Sequence, residues 1–129
     1  MPTKDGLKRE RMQRNFLTFE QGDIVVAVLP FSNQKDRKRR PALVVSGTEY
    51  LKASEDIILL QITSKQKPGK FRIPISKNDL KEGSLKTESE VKVDSPVTFH
   101  KELVEMHIGK ITAGKLEEVK ASTAELYGL

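Results

Sequence analysis

The sequence predicts a mainly β domain with a single C-terminal helix, folded as a strongly bent sheet or partly open barrel. Three observations lead there. Apolar runs at 24–29, 41–45 and 57–62 are short, rich in Val, Ile and Leu, and bounded by Pro, Gly, Ser or Thr, the pattern of buried strands between turns. Apolar recurrence at three- and four-residue spacing is confined to the last segment, at Leu116, Val119, Thr123 and Leu126. Strand signals do not alternate with helical ones, which argues against a doubly wound α/β fold.

Taken in order, residues 1–18 carry many charges and only scattered apolar side chains, Leu7, Met12, Phe16 and Leu17. They read as a basic N-terminal arm, frayed or briefly helical, ahead of a domain spanning 19–129. Gly22 and Asp23 signal a turn before the first core strand, which Pro30 stops. Residues 32–39 are polar and charged throughout and read as an exposed loop. The second strand follows from Pro41 to Val45, closed by Ser46 and Gly47. The run at 57–62 looks buried on both faces and ends at Thr63 and Ser64. After a turn at Pro68 and Gly69, Phe71, Ile73 and Ile75 alternate with Arg72 and Pro74. This describes a half-exposed strand at an edge, because Pro74 has no N–H to give a ladder. Val91 and Val93 alternate similarly with Lys92 and Asp94, and 97–99 adds a short strand. Thr112 is placed to cap the final helix.

Composition narrows the function. The 129 residues contain no cysteine, so disulfides, thiol nucleophiles and thiolate metal sites are excluded, in keeping with a reducing compartment. The two histidines, His100 and His107, have no neighbouring carboxylates at helical spacing, and neither a metal nor another cofactor is expected. No stretch approaches the ~18 apolar residues of a membrane span, and the N-terminus is charged where a signal peptide is apolar; a cytoplasmic location is expected. Charge is placed unevenly around a formal net of +5. Lys4, Lys8, Arg9, Arg11 and Arg14 form one cluster and Lys35, Arg37, Lys38, Arg39 and Arg40 another, while Glu102, Glu105, Glu117, Glu118 and Glu125 make the end acidic. Clustered cations favour polyanions, whether nucleic acid or an acidic peptide, although ordinary solubility accounts for them equally well.

Four motifs in order carry a resemblance: Gly22-Asp23-Ile24-Val25, Pro30-Phe31-Ser32, Arg39-Arg40-Pro41-Ala42-Leu43-Val44-Val45, and Gln61-Ile62-Thr63-Ser64. Together with Ile108-Gly109-Lys110-Ile111 before a Leu/Val helix, they resemble the PemK/MazF family of toxin ribonucleases from toxin-antitoxin pairs. The resemblance implies an SH3-like small barrel of the PemK/MazF/CcdB type, related to the gyrase poisons. It also implies a homodimer with single-stranded RNA held near the dimer interface, and an antitoxin whose flexible, often acidic segment occupies that groove. The family's catalytic Arg and Thr fall on Arg40 and Thr63. Many members carry a Glu in the loop before the Arg-Pro motif. Here that place holds Lys35, which leaves its neighbour Asp36 as the candidate general base.

The chemistry these residues suit needs no protein nucleophile. The 2′-hydroxyl of RNA can attack its own phosphorus, leaving a cyclic phosphate and a 5′-hydroxyl. An always-charged guanidinium at Arg40 would stabilise charge gathering on the phosphoryl oxygens while Thr63 positions the phosphate. Arg37, Lys38, Arg39, Ser64, Lys65 and Lys67 are the candidates for RNA binding; a solvated loop would look the same. Phe31 is read as packing rather than base stacking, His100 as a surface residue, and Gly22 and Pro41 as architectural. Lys35 in the usual Glu place also motivates an alternative, a PemK-like module that binds RNA or peptide without cutting. A gyrase-directed toxin is the third reading, and it would not call for Arg40 and Thr63.

Overall fold

The computed structural model of the chain describes residues 18–30 and 37–129. The arm at 1–17 and the loop at 31–36, with Phe31, Ser32, Lys35 and Asp36, lie outside the described residues. The order is β1 (Asp23–Pro30), β2 (Arg37–Val44), α1 (Thr48–Ala53), β3 (Asp56–Thr63), β4 (Arg72–Ile75), β5 (Leu80–Gly83), β6 (Ser89–His100), β7 (Met106–Ile111) and α2 (Ala113–Tyr127). The strands form one curled half-barrel sheet in the order β4-β6-β3-β2-β1-β7-β5, paired antiparallel throughout.

The curl gives the sheet two apolar faces, which is why its central runs are apolar at successive positions. On one face Val25, Ala27, Leu29, Ala42, Val44, Ile57 and Leu59 pack with Leu51 of α1 and with Phe19 and Val104. On the other, Ile24, Leu43, Leu60, Ile62, Val91, Val93, Ile75 and Ile111 pack with Val119 of α2. Alternation within each strand sends neighbours to opposite cores. In the run at 57–62, Ile57 and Leu59 thereby enter one core and Leu60 and Ile62 the other, as its composition predicts, while Ile58 and Gln61 are half-buried.

Gly22 and Asp23 make the turn into β1 for separate reasons. Gly22 has φ +97°, a left-handed conformation in which a Cβ is strained. Its N–H donates to the Val44 carbonyl at 2.8 Å and its carbonyl accepts from Ile111 N–H at 3.0 Å. Asp23 is buried. One carboxylate oxygen accepts from Glu20 N–H at 2.8 Å, while the other faces Lys110 Nζ and His107 Nε2, each at 3.4 Å. A buried carboxylate needs such partners, and Lys110 reaches it from the Ile-Gly-Lys-Ile motif of β7.

Several boundaries differ from the sequence reading. The loop predicted at 32–39 is shorter, because β2 begins at Arg37 and pairs Pro30↔Arg37, Leu29↔Lys38 and Val28↔Arg39. Backbone pairing to the full length of β1 outweighs the charge of those side chains, which at Lys38 and Arg39 remain exposed. The two strands expected around Val91–Val93 and 97–99 are one strand, β6. Its Pro96 lies opposite Leu60, where the β3–β6 register shifts between Leu60 and Ile62; an irregularity of this kind is where a strand accommodates proline. Helix α1 and strand β5, too short to show a period, carry no sequence signal, and β7 is recognisable only as part of a motif. By contrast β4 is the edge strand its proline predicts. Helix α2 starts as expected, with Thr112 Oγ1 accepting from Lys115 N–H at 3.2 Å.

A cationic cleft across four strands

The register brings the site together. β2 and β3 pair Ala42↔Gln61 and Leu43↔Leu60; continuing that register two residues sets Arg40 across from Thr63. On the other side of β3, Thr63 pairs with Glu90 and Ile62 with Val91, while β4 pairs Arg72↔Lys92 and Pro74↔Glu90. Residues opposite one another, and residues two apart, share a sheet face. One row across the sheet therefore reads Arg40, Thr63, Glu90, and the next reads Gln61, Lys92, Arg72. Ile62 and Val91, between them in sequence, turn to the buried face and anchor both rows.

These rows open onto a cleft of about 300 Å³ lined by Arg40, Gln61, Ile62, Thr63, Ser64, Lys65, Lys67, Arg72 and Lys92. Five of the lining residues are cationic and, among the described residues, none is a carboxylate. Arg40 is half-buried with its Nε withdrawn from solvent. Thr63 Oγ1 accepts from Lys65 N–H at 3.1 Å, so its own hydrogen stays available to donate. Lys92 Nζ donates to Gln61 Oε1 at 3.3 Å. Glu90 is 3% exposed; its Oε1 accepts from Lys67 N–H at 2.9 Å and from Arg72 Nη1 at 3.1 Å. A converging set of donors on rigid strands suits an anion with several oxygens, such as a phosphodiester.

Of the residues singled out from sequence, Arg40, Thr63, Ser64, Lys65 and Lys67 line this one cleft. Arg39 does not line this cleft; it is ion-paired with Glu105 and lines, with Arg40 and Ser64, a neighbouring cleft of about 480 Å³. The hydrogen bond and the carboxylate of Glu105 raise the Arg39 pKa further above its ordinary value. Lys38 is exposed, the Arg37 side chain lies outside the described residues, and so does Asp36. His100 pairs with Asp56 at the far end of β3, seven residues or roughly 23 Å from Thr63. There its Nδ1 accepts from Glu102 N–H at 3.1 Å and its Nε2 lies 3.3 Å from Glu55. Sequence reasoning missed Gln61, Arg72, Lys92 and Glu90 as a group. Alternation with Ile73, Val91 and Val93 marked Arg72 and Lys92 each as the exposed side of its own strand, but the pairing that brings them together and to Thr63 is not local.

Among the described residues, no three or more His, Asp or Glu side chains gather to hold a metal ion, and no helix is long and apolar enough to cross a membrane.

No curated protein matches the chain in sequence. Solved structures match its fold closely. It is similar to an endoribonuclease in complex with its cognate antitoxin from a mycobacterial species, with a TM-score of 0.72, 16% identity and coverage of 87% of this chain and 97% of that one. It is similar to a chain of MazE-MazF (Form-III) from Deinococcus radiodurans, with a TM-score of 0.68, 23% identity and coverage of 86% and 97%. The Mycobacterium tuberculosis toxin MazF-mt6 gives a TM-score of 0.63 at 17% identity, over 81% of this chain and 97% of that one. The sequence profile of PemK-like, MazF-like toxins matches residues 20–127. With a half-barrel sheet of the MazF-like type and the profile spanning nearly the whole described domain, the chain belongs to the PemK-like, MazF-like toxins of type II toxin-antitoxin systems.

Proposed function

We propose that the protein is a metal-independent endoribonuclease that cleaves single-stranded RNA through attack of its 2′-hydroxyl. The observation that carries this reading is the shared cleft of Arg40 and Thr63, ringed by Lys65, Lys67, Arg72 and Lys92. In the proposed reaction the 2′-oxygen forms a bond to phosphorus, the P–O5′ bond breaks, and the products are a 2′,3′-cyclic phosphate and a 5′-hydroxyl. Arg40 stabilises the charge that accumulates on the equatorial oxygens, and Thr63 donates to one of them and fixes its direction. With a pKa above ~12, Arg40 acts as a fixed charge rather than a proton donor. Asp36 is the proposed acceptor of the 2′-proton, and the departing 5′-oxygen takes its proton from solvent water. Ser64, Lys65 and Lys67 hold the flanking backbone of the strand, and Arg37, Lys38 and Arg39 extend the basic surface.

As proposed partners, an antitoxin segment of acidic character would compete with RNA for the cleft, and a second copy of the chain would complete a homodimer, both in the cytoplasm. The fold neighbours include an endoribonuclease in complex with its cognate antitoxin, which supports the first of these. The domain is proposed to start at residue 19, after a basic arm that adds affinity for RNA.

The test is incubation of the full chain with a long single-stranded RNA in the presence of chelator. Discrete fragments with cyclic phosphate ends are expected, and Arg40→Ala or Thr63→Ala lowers the rate roughly 10²- to 10³-fold. Variants that cut as well as the parent overturn the site assignment. A second reading, a module that binds RNA or peptide without cutting, is favoured by a cleft lining that holds five cations and, among the described residues, no carboxylate open to a substrate as a base. Salt-sensitive binding of intact RNA by the parent supports it, and turnover excludes it.

A further inference from the structure

The cleft is longer than one phosphate needs. Arg40 and Thr63 occupy one end, while Arg72 and Lys92 occupy the next row toward the sheet edge. Two residues along a strand advance ~6.8 Å, comparable to the step between neighbouring phosphates of an extended single strand. Arg72 is not a loosely tethered surface cation. Its side chain is only 20% exposed, and its Nη1 donates to a carboxylate that is itself 4% exposed. Such a bond uses one of the five guanidinium donors and leaves the rest of the fork for the cleft that Arg72 lines. The same carboxylate oxygen takes the Lys67 N–H, tying the segment after Thr63 to β6.

We infer that Arg72 and Lys92 form a second phosphate subsite, for the phosphate adjacent to the one held by Arg40 and Thr63, with Glu90 as its positioning residue. This rests on the ribonuclease reading for the identity of the first phosphate. Glu90 does not line the cleft and does not meet the substrate. It acts by aiming the Arg72 guanidinium and by holding the Lys67 backbone, so that neither must be ordered when RNA arrives. The occupant is thereby narrowed to a strand with at least two consecutive phosphodiesters, and a dinucleotide with one phosphate would be a poor substrate.

The experiment uses the full chain and a set of short RNAs, each cut at one site and each carrying a single neutral methylphosphonate at a different phosphate near the cut. In the parent, neutralising one adjacent phosphate is expected to lower kcat/KM roughly 10- to 100-fold, the worth of a charge-assisted contact, mostly through KM. Arg72→Gln loses a similar factor on the unmodified RNA and no longer distinguishes the modified one. Glu90→Gln, which keeps the acceptor oxygen, retains the discrimination, whereas Glu90→Ala loses it while melting as a folded protein. Should Glu90→Ala fail to fold, the Arg72→Gln comparison decides alone. Equal cutting of every singly modified RNA by the parent, or undiminished discrimination in Arg72→Gln, overturns the inference while leaving the ribonuclease reading intact. If the parent cuts nothing, the ribonuclease reading fails instead, and the same oligonucleotides are compared by binding anisotropy. Weaker binding on neutralising one of two neighbouring phosphates, abolished in Arg72→Gln, then supports the subsite, and uniform binding overturns it.

Discussion

The sharpest steric constraint in the fold lies where β5 crosses β7, with Gly83 paired to Gly109. A Cβ built on Gly83 would sit 1.9 Å from the Ile108 carbonyl oxygen and 2.5 Å from Gly109 Cα. Both are backbone atoms that cannot swing aside as a side-chain tip would. Gly83 also has φ +79°, where a non-glycine residue costs about 1–2 kcal/mol. Overpacking against backbone adds about 1–3 kcal/mol, so Gly83→Ala should destabilise the domain by about 2–5 kcal/mol. For a domain of this size that is a fall in Tm of roughly 8–20 °C. Gly114, in the first turn of α2, is the control: nothing lies within 4 Å of its Cβ position. Gly114→Ala should be neutral or stabilising by up to about 1 kcal/mol, from lower unfolded-state entropy and better helix propensity. Thermal melts and urea titrations of the two variants measure the difference. A Gly83→Ala protein melting within about 2–3 °C of the parent, far less than the expected fall, would show that the crossing has slack and that this steric reasoning is wrong.

Two further outcomes follow from ionic groups. Lys110 is pulled down by burial, but its hydrogen bond to Glu20 and the charge of Asp23 outweigh this and leave its pKa raised. The bond and charge of Lys110 lower that of Glu20. A raised lysine stabilises fully below its unfolded value of ~10.4 and loses this as pH climbs through the folded value; a lowered carboxylate contributes above ~4.3 and loses this as pH falls. Lys110→Met should therefore cost about 1–2 kcal/mol between roughly pH 5 and 10, chiefly because buried Asp23 loses a partner, with the gap to the parent narrowing outside that window. A gap independent of pH from 3 to 11, well beyond both reference values, would rule out the pairing as its source. Lys101 is 4% exposed and its ammonium donates to the Leu51 carbonyl near the end of α1. Lys101→Ala should cost about 2–4 kcal/mol in urea unfolding through lost packing and an orphaned carbonyl, and Lys101→Met about 1 kcal/mol because the stem volume survives. Equal losses in the two would show that packing of the stem is not what matters.

What could be read from the sequence follows physical range. The central strands announced themselves because burial on both faces demands continuous apolar runs, and Pro74 marked the edge because its missing N–H is a local fact. Thr112 and the α2 period were legible for the same reason. Strand β5 and helix α1 were not, since four and six residues carry too little pattern. The extension of β2 back to Arg37 depended on a partner, β1, that local charge does not reveal. In the cleft, Arg40 and Thr63 were singled out beforehand through motif order, whereas the place of Glu90 was invisible. A glutamate two residues into a strand reads as solvated, and only the β3–β6 and β4–β6 registers bury it beside an arginine.

The cleft's outer wall is the four-residue edge strand β4, joined to a single neighbour. Edge segments of this length open at far lower free energy than a sheet's centre. Warming or mild denaturant should therefore unlatch Arg72 from its partner while Arg40 and Thr63 still stand on intact central strands. For the RNA proposed to lie there, the grip would slacken first, and affinity would fade well before the domain itself came apart.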